Sequence, residues 1–383
     1  MQKVNDFKII SKAATIDISQ LNFLSLSGRD AYYTQGIYGQ DVIVAVLDTG
    51  ANPHAEYEDR LIFGDTFCTD YKPTEHMDDF GHGGHVIGSV IGKNVGVAPK
   101  AKVLSIKIMN NMGEGYIQDI INGLQYALNW RSPEGKRIDI VNLSITCNGV
   151  WLEAQPALYM AYHNAIKALV SAGIIVICAS GNTGDGTILY PACWDEPITV
   201  GAVDVEKRIA YFSTQTNEVD VCQIGINVLS CGRNNDYMVL SGTSMATPIV
   251  CGIAALAVCK YKLLNAGKYM PESALYEFLK MNTCDLGISG TDIAYGAGFC
   301  TLAAGFRTKQ TRIDFKQGDY NIYVNGQLFV SDVPVTVALP PNSTNGRTMV
   351  PMRIFSEKLG CSVLYDNNTR VASLVKNEWE VGS

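Results

Sequence analysis

The sequence predicts an α/β core on a mostly parallel sheet, followed by a small C-terminal α+β domain. Three observations carry this prediction. Short valine- and isoleucine-rich runs recur at residues 42–47, 103–109, 138–144, 174–179 and 198–203, the pattern of strands buried on both faces. Between them the apolar spacing turns helical. Ile117, Ile120, Ile121, Leu124 and Leu128 mark one face, and Leu158, Ala161, Tyr162, Ala165 and Leu169 mark another. Strand–helix–strand alternation closes as a parallel sheet covered by helices on both faces. From about Phe306 the spacing shortens into hairpin units, which marks the second domain.

Composition narrows the function. A chain of 383 residues has room for two or three domains and a sizeable core. A hydrophobic share of 47% with 17% charged residues suits a folded enzyme and not a disordered chain. Net charge is −7 and no long run of Lys or Arg occurs, so no nucleic-acid partner is expected. No segment reaches about 18 consecutive apolar residues, so no membrane span is expected. Residues Met1 to Lys8 lack an apolar signal core. A cytoplasmic location is therefore expected, with release by a non-Sec route as the alternative. The eleven cysteines form no CxxC pair, and Cys178, Cys251 and Cys259 lie inside apolar runs. Free buried thiols in a reducing compartment fit that usage.

The chemistry gathers in three stretches. In Gly242-Thr243-Ser244-Met245-Ala246-Thr247-Pro248 a small-residue turn leads directly into an apolar helix. Ser244 then lies near a helix N-terminus, where free N–H groups and the helix dipole favour developing negative charge. Pro248 is expected to be tolerated within the first turn. Asp48 ends the apolar run at 42–47, the carboxyl edge at which open α/β sheets place their chemistry. His82 lies in the glycine-rich Asp78-Asp79-Phe80-Gly81-His82-Gly83-Gly84-His85. A serine hydroxyl needs a base to attack a carbonyl, and an imidazole oriented by a carboxylate supplies one. His82 and His85 with Asp78 and Asp79 could instead be drawn as a metal site. Zinc would need further ligands, and no HExxH is present, so no metal is expected. His85 is expected to be structural, and His54, His76 and His163 carry no motif.

Asp48-Thr49-Gly50, His82-Gly83-Gly84-His85-Val86-Ile87-Gly88 and Gly242 to Ala246, in that order, resemble the subtilisin-like serine proteases from about Tyr33 to Gly305. Ala179-Ser180-Gly181-Asn182 is similar to the family's oxyanion segment, and Tyr295 to Phe299 to its closing segment. The resemblance implies a three-layer subtilisin-like fold and a serine endopeptidase acting on protein or peptide substrates. Ser244 would be the nucleophile, His82 the base, Asp48 its orienting carboxylate and Asn182 the oxyanion donor. Ser144 and Ile145 fall on the substrate-pairing strand, and Gly181 and Leu189 at the primary pocket. A binding or assembly protein with a plugged cleft is the alternative.

Several positions depart from the family pattern. Gly84 stands where threonine is usual. Ile145-Thr146-Cys147 is expected to bring side chains to a wall normally left bare, and Leu189 replaces a frequent glycine at the pocket base, predicting a shallow pocket for a small side chain. The loop at 92–97 is shorter than the calcium loop of secreted members, so no high-affinity calcium site is expected, and a weaker one elsewhere stays open. Residues 1–32 are too few for a pro-domain. They resemble the short extension of intracellular subtilisins that lies across the active site, or else they wrap the surface of the catalytic domain at 33–305. In 306–383, the Asn325-Gly326 turn between residues 321 and 330 predicts a hairpin, 347–360 a short helix, and 362–375 a second hairpin. This part resembles the stalk domain named for the N-terminus of some copper amine oxidases. It carries no copper ligands and reads as a module for self-association or a partner protein.

Overall fold

Asp48 ends a strand whose every residue is buried, and the main sheet spreads to either side of it. The computed structural model describes residues 2–3, 8–13, 22–72, 75–303, 309–316, 321–324, 327–330, 361–366 and 371–378. In chain order the strands of this sheet are β1 (Ile43–Asp48), β2 (Leu61–Thr66), β3 (Lys102–Lys107), β4 (Ile140–Leu143), β5 (Ile175–Ala179), β6 (Ile198–Val203), β7 (Val219–Ile224), β8 (Thr283–Cys284) and β9 (Phe299–Cys300). Their order across the sheet is β8-β9-β7-β6-β5-β4-β1-β3-β2. All neighbours are parallel except β8 and β9. After β3 the chain crosses to the other side of β1 and builds outward from β4. The carboxyl end of β1 is thus a topological switch point, where such sheets open a crevice.

Helices α1 (His82–Ile91), α2 (Ile117–Asn129), α3 (Pro156–Ser171) and α4 (Thr243–Leu264) cover the sheet. On one face α1 packs against α4, and on the other α2 packs against α3. The result is a three-layer α/β fold. The five strands expected from the sequence all form, with ends moved by at most two residues. The expected α2 face buries Ile117, Ile120, Ile121 and Leu124, while Leu128 is only partly covered. On α3 the expected stripe is displaced: Ala161 is exposed and Ile166 is buried beside Tyr162, Ala165 and Leu169.

α4 is apolar over enough length to cross a membrane, but it is buried nearly all round, as a core helix is. One expectation about it needs correcting. Pro248 lies beyond its first turn, because the helix starts at Thr243. Its missing N–H would have bonded to the Ser244 carbonyl four residues back.

A hairpin of Val228–Cys231 and Tyr237–Ser241 precedes α4, and Lys8–Ala13 adds to its second strand antiparallel. Gln2–Lys3 pairs antiparallel with Glu114–Gly115. Residues Met1–Ala304 form one compact unit and Gly305–Ser383 another. In the second, Lys309–Lys316 pairs with Asn321–Val324 and with Val371–Glu378. Both expected hairpins form, closing at Val324↔Gln327 and Asp366↔Val371. The turn Asn325-Gly326 and the helix expected at 347–360 lie outside the described residues.

Candidate active site

His82 reaches Asp48 because two glycines let the backbone close. A Cβ at Gly83 would overlap the Gly50 carbonyl, so α1 docks this tightly on the turn after β1 only with glycine there. His82 Nδ1 lies 2.7 Å from Asp48 Oδ1, which also accepts the Thr49 N–H at 2.7 Å. Both side chains are buried. Asp78, which the sequence offered only as a candidate metal ligand, holds the start of α1. Its Oδ1 accepts from the Thr49 hydroxyl and the Phe80 and Gly81 N–H groups, and its Oδ2 from the Gly84 N–H. Burial nevertheless pushes its carboxyl up. Gly83 N–H donates to Thr49 Oγ1 at 2.9 Å, tying the helix to β1 a second time.

Ser244 is the second residue of α4, in the turn whose N–H groups lack helical acceptors. Its hydroxyl donates to the Ser144 carbonyl at 3.0 Å, and the Ser144 hydroxyl donates to the Ser244 carbonyl at 3.0 Å. The carbonyl left without a helical donor by Pro248 is thus satisfied from β4's end. Asn142 Nδ2 donates to Ser144 Oγ at 3.0 Å. Asn182 is oriented from the same helix start. Its Oδ1 accepts from the Thr243 N–H at 2.9 Å and the Thr243 hydroxyl at 3.0 Å. Both donors select the oxygen, so the amide NH₂ is the end left beside Gly242.

The expected pocket residues divide. Leu189 is 6% exposed and fills the space that a Cβ on Gly181 would occupy, with Gly181 at φ +107°. Leu189 and Tyr190 pair antiparallel with Asn148 and Cys147. Ile145 and Cys147, expected at the cleft wall, instead face the core among Leu152, Tyr162 and Trp194. Alternation along an extended chain turns only Thr146 outward. Ser144 is fully buried and holds α4.

Three of the other four histidines have hydrogen-bond partners, and His76 packs its ring on Phe63. His85 Nε2 pairs with the Val228 carbonyl, and burial pushes its pKa down to about 3, so it stays neutral. His54 bonds to the Asp236 carbonyl, and His163 bonds to Glu196 and stacks on Trp194. Among the described residues no group of three or more His, Cys, Asp or Glu side chains could hold a metal ion. The loop at 92–97 is held by the Glu56 carboxylate, which accepts from the Asn94 N–H at 2.7 Å, Asn94 Nδ2 at 2.9 Å and the Tyr237 hydroxyl at 2.8 Å. No motif marked Glu56, and the motifs that contain Asp78 and Thr243 did not show their roles, since their partners are distant or lie in backbone.

The family match and the relatives that follow make this chain a serine endopeptidase. Residues 39–298 match the subtilase family model, and the chain belongs to that family. Residues 301–374 match the copper amine oxidase N-terminal domain. The chain is 38% identical over 266 residues to an intracellular serine protease of Paenibacillus polymyxa, covering 66% of this chain and 76% of that protein. It is 34% identical over 286 residues to the major intracellular serine protease of Bacillus subtilis (71% and 84% covered). It is 34% identical over 291 residues to subtilisin DY of Bacillus licheniformis (73% and 96% covered).

Proposed function

We propose that the protein cleaves peptide bonds by an acyl-enzyme route in which Ser244 attacks, His82 carries the proton and Asp48 holds the imidazole. The Asp48–His82 contact at 2.7 Å carries this reading, because it fixes Nδ1 as the donor and leaves Nε2 as the base. For chemistry the Ser244 hydroxyl turns its proton from the Ser144 carbonyl to His82. The Asn182 NH₂ and the Ser244 N–H then receive the tetrahedral oxyanion. His82 returns the proton to the leaving amine, and water repeats the sequence on the acyl-enzyme. A fluorophosphonate probe should label wild-type protein at Ser244 and leave Ser244→Ala unlabelled; a wild type that stays unlabelled removes the reading. The relatives named intracellular, together with the buried free thiols, support a cytoplasmic enzyme.

The N-terminal extension is read as a built-in inhibitor. Gln2–Lys3 pairs with Glu114–Gly115, whose turn packs Gly113 on Phe80, two residues before His82. Lys8–Ala13 pairs with the strand that ends at Ser241, three residues before Ser244. Ser244 and His82 are buried, 2% and 0% exposed, as in an occupied cleft. These strand edges are where an extended peptide would add. A synthetic peptide of residues 1–13 should inhibit competitively the enzyme from which the extension has been cleaved. The C-terminal unit is read as a partner-binding or self-association module, which sedimentation of the full chain tests.

A further inference from the structure

Lys107 is a buried cation that the chemistry above does not use. It ends β3, in register with Asp48 on the neighbouring strand, and is 1% exposed. Its Nζ donates to the Thr49 carbonyl at 2.6 Å and stands over the Tyr71 ring, 4.3 Å from the centroid. Thr49 joins the parts of the acid–base pair: its N–H donates to Asp48, its hydroxyl donates to Asp78 and accepts from the N–H next to His82. Asp48 Oδ2 is buried with no hydrogen-bond donor among the described residues. Two buried carboxylates in one network need a compensating charge, since a buried carboxyl without one takes up a proton.

The charged and titratable groups around Lys107 come from every neighbouring element. β1 contributes Asp48, the segment after β2 contributes Cys68 and Tyr71, the segment before α1 contributes Asp78 and Asp79, and α1 itself carries His82 and His85. Burial pushes the Lys107 amine down, while Asp78, Asp79, Cys68 and Asp48 act in the opposite direction. The Tyr71 hydroxyl is pushed up to about 12 by burial and its bond to Asp79. Lys107 is the cation facing this acidic group.

Building on the Asp48, His82 and Ser244 reading, we propose that Lys107 is a positioning residue for peptide hydrolysis. Its buried ammonium is the cation beside the Asp48–Asp78 network and, through Thr49, seats the His82 ring on Asp48. Without it the Thr49 carbonyl loses its donor and the turn that joins Asp48 to the start of α1 loses its anchor on β3.

The test is the pH profile of Lys107→Met, which keeps the stem and removes the charge, beside Lys107→Gln, which keeps a donor for Thr49. Loss of a nearby positive charge raises the proton affinity of the imidazole. The acid limb of kcat/KM should therefore move up by about one pH unit in both variants. At neutral pH kcat should fall about tenfold, a small part of what a general base contributes, with KM little changed. The loss in Lys107→Met with Asp78→Asn should be smaller than the sum of the single losses, because both charges leave together. A wild-type acid limb in either variant, or additive losses, overturns the proposal. If neither Lys107 variant folds, the lysine is structural and the proposal also falls. Fluorophosphonate labelling of the wild type separates the two readings: an unlabelled Ser244 removes the proposed function, whereas a labelled enzyme with unshifted variants removes only the role of Lys107.

Discussion

Ser144 and Ser244, one hundred residues apart, hold each other by two reciprocal bonds, each hydroxyl donating to the other's carbonyl at 3.0 Å. The pairing follows from Pro248, which has no N–H to offer the Ser244 carbonyl. The end of β4 supplies that donor and so anchors the turn of helix that carries Ser244.

Ser144→Ala should leave the buried Ser244 carbonyl without its donor, at a cost of about 1–3 kcal/mol in urea unfolding. Adding Pro248→Ala restores an N–H at the position four residues on and should recover part of that loss. A double variant as unstable as Ser144→Ala would show that the carbonyl is satisfied by another route.

Thr243 orients the amide of Asn182 through both its N–H and its hydroxyl. Thr243→Val removes the hydroxyl donor, and kcat should fall about tenfold with KM nearly constant. Asn182→Ala should lose about 10²–10³ in kcat, the size measured for the corresponding donor in a subtilisin. If Thr243→Val lowers affinity and spares kcat, the hydroxyl serves ground-state binding instead.

Leu189 occupies the space over Gly181, which predicts a preference for a small side chain before the cleaved bond. Leu189→Ala should raise kcat/KM for a Phe substrate relative to an Ala substrate by about tenfold. Its stability should fall by about 2–5 kcal/mol, as for other buried leucines. A wild-type enzyme that prefers Phe or Tyr in cleavage-site profiling would remove this account.

Glu56 couples stability to acid. Burial alone would push its carboxyl up, but the bonds from Asn94 and Tyr237 prevail and hold it below the ordinary value of 4.5. A group lowered on folding stabilises above its unfolded pKa, and that stability is lost as pH falls through the folded value. Glu56→Gln should therefore be less stable than wild type at pH 7, by about 1–3 kcal/mol. The gap should shrink as pH drops below the ordinary carboxylate value; urea midpoints across that range measure it, and a constant gap would show that the charge is not involved.

Gly84 stands in the first turn of α1, and a Cβ there would meet Tyr57 Oη at 3.4 Å and Asp78 Oδ2 at 3.5 Å, both ordinary contacts. Gly84→Ala should stabilise the protein by up to about 1 kcal/mol, read as a higher Tm, with activity unchanged.

The strands were legible because burial on both faces leaves unbroken apolar runs, and Ile43–Asp48 shows that signal at full length. The hairpin at 228–241 escaped notice because its second strand runs straight into the serine motif, with no change of composition to mark it. Ile145 misled for a related reason. A residue's place in a motif does not say which way its side chain turns, and Ile145, just past the end of β4, turns into the core.

By itself the sequence determined the order of the acidic, histidine and serine stretches, the alternation of strand and helix, and the glycines that permit close approach. Those properties are local, so neighbouring residues suffice to express them. Only the tertiary structure decided that Asp78 caps the histidine helix, that Thr243 turns the amide of Asn182, that Lys107 sits beneath Asp48, and that Ser144 supplies what Pro248 withholds. Each of these joins groups distant along the chain, and hydrogen bonds form between atoms that folding brings within about 3 Å, whatever their separation in sequence.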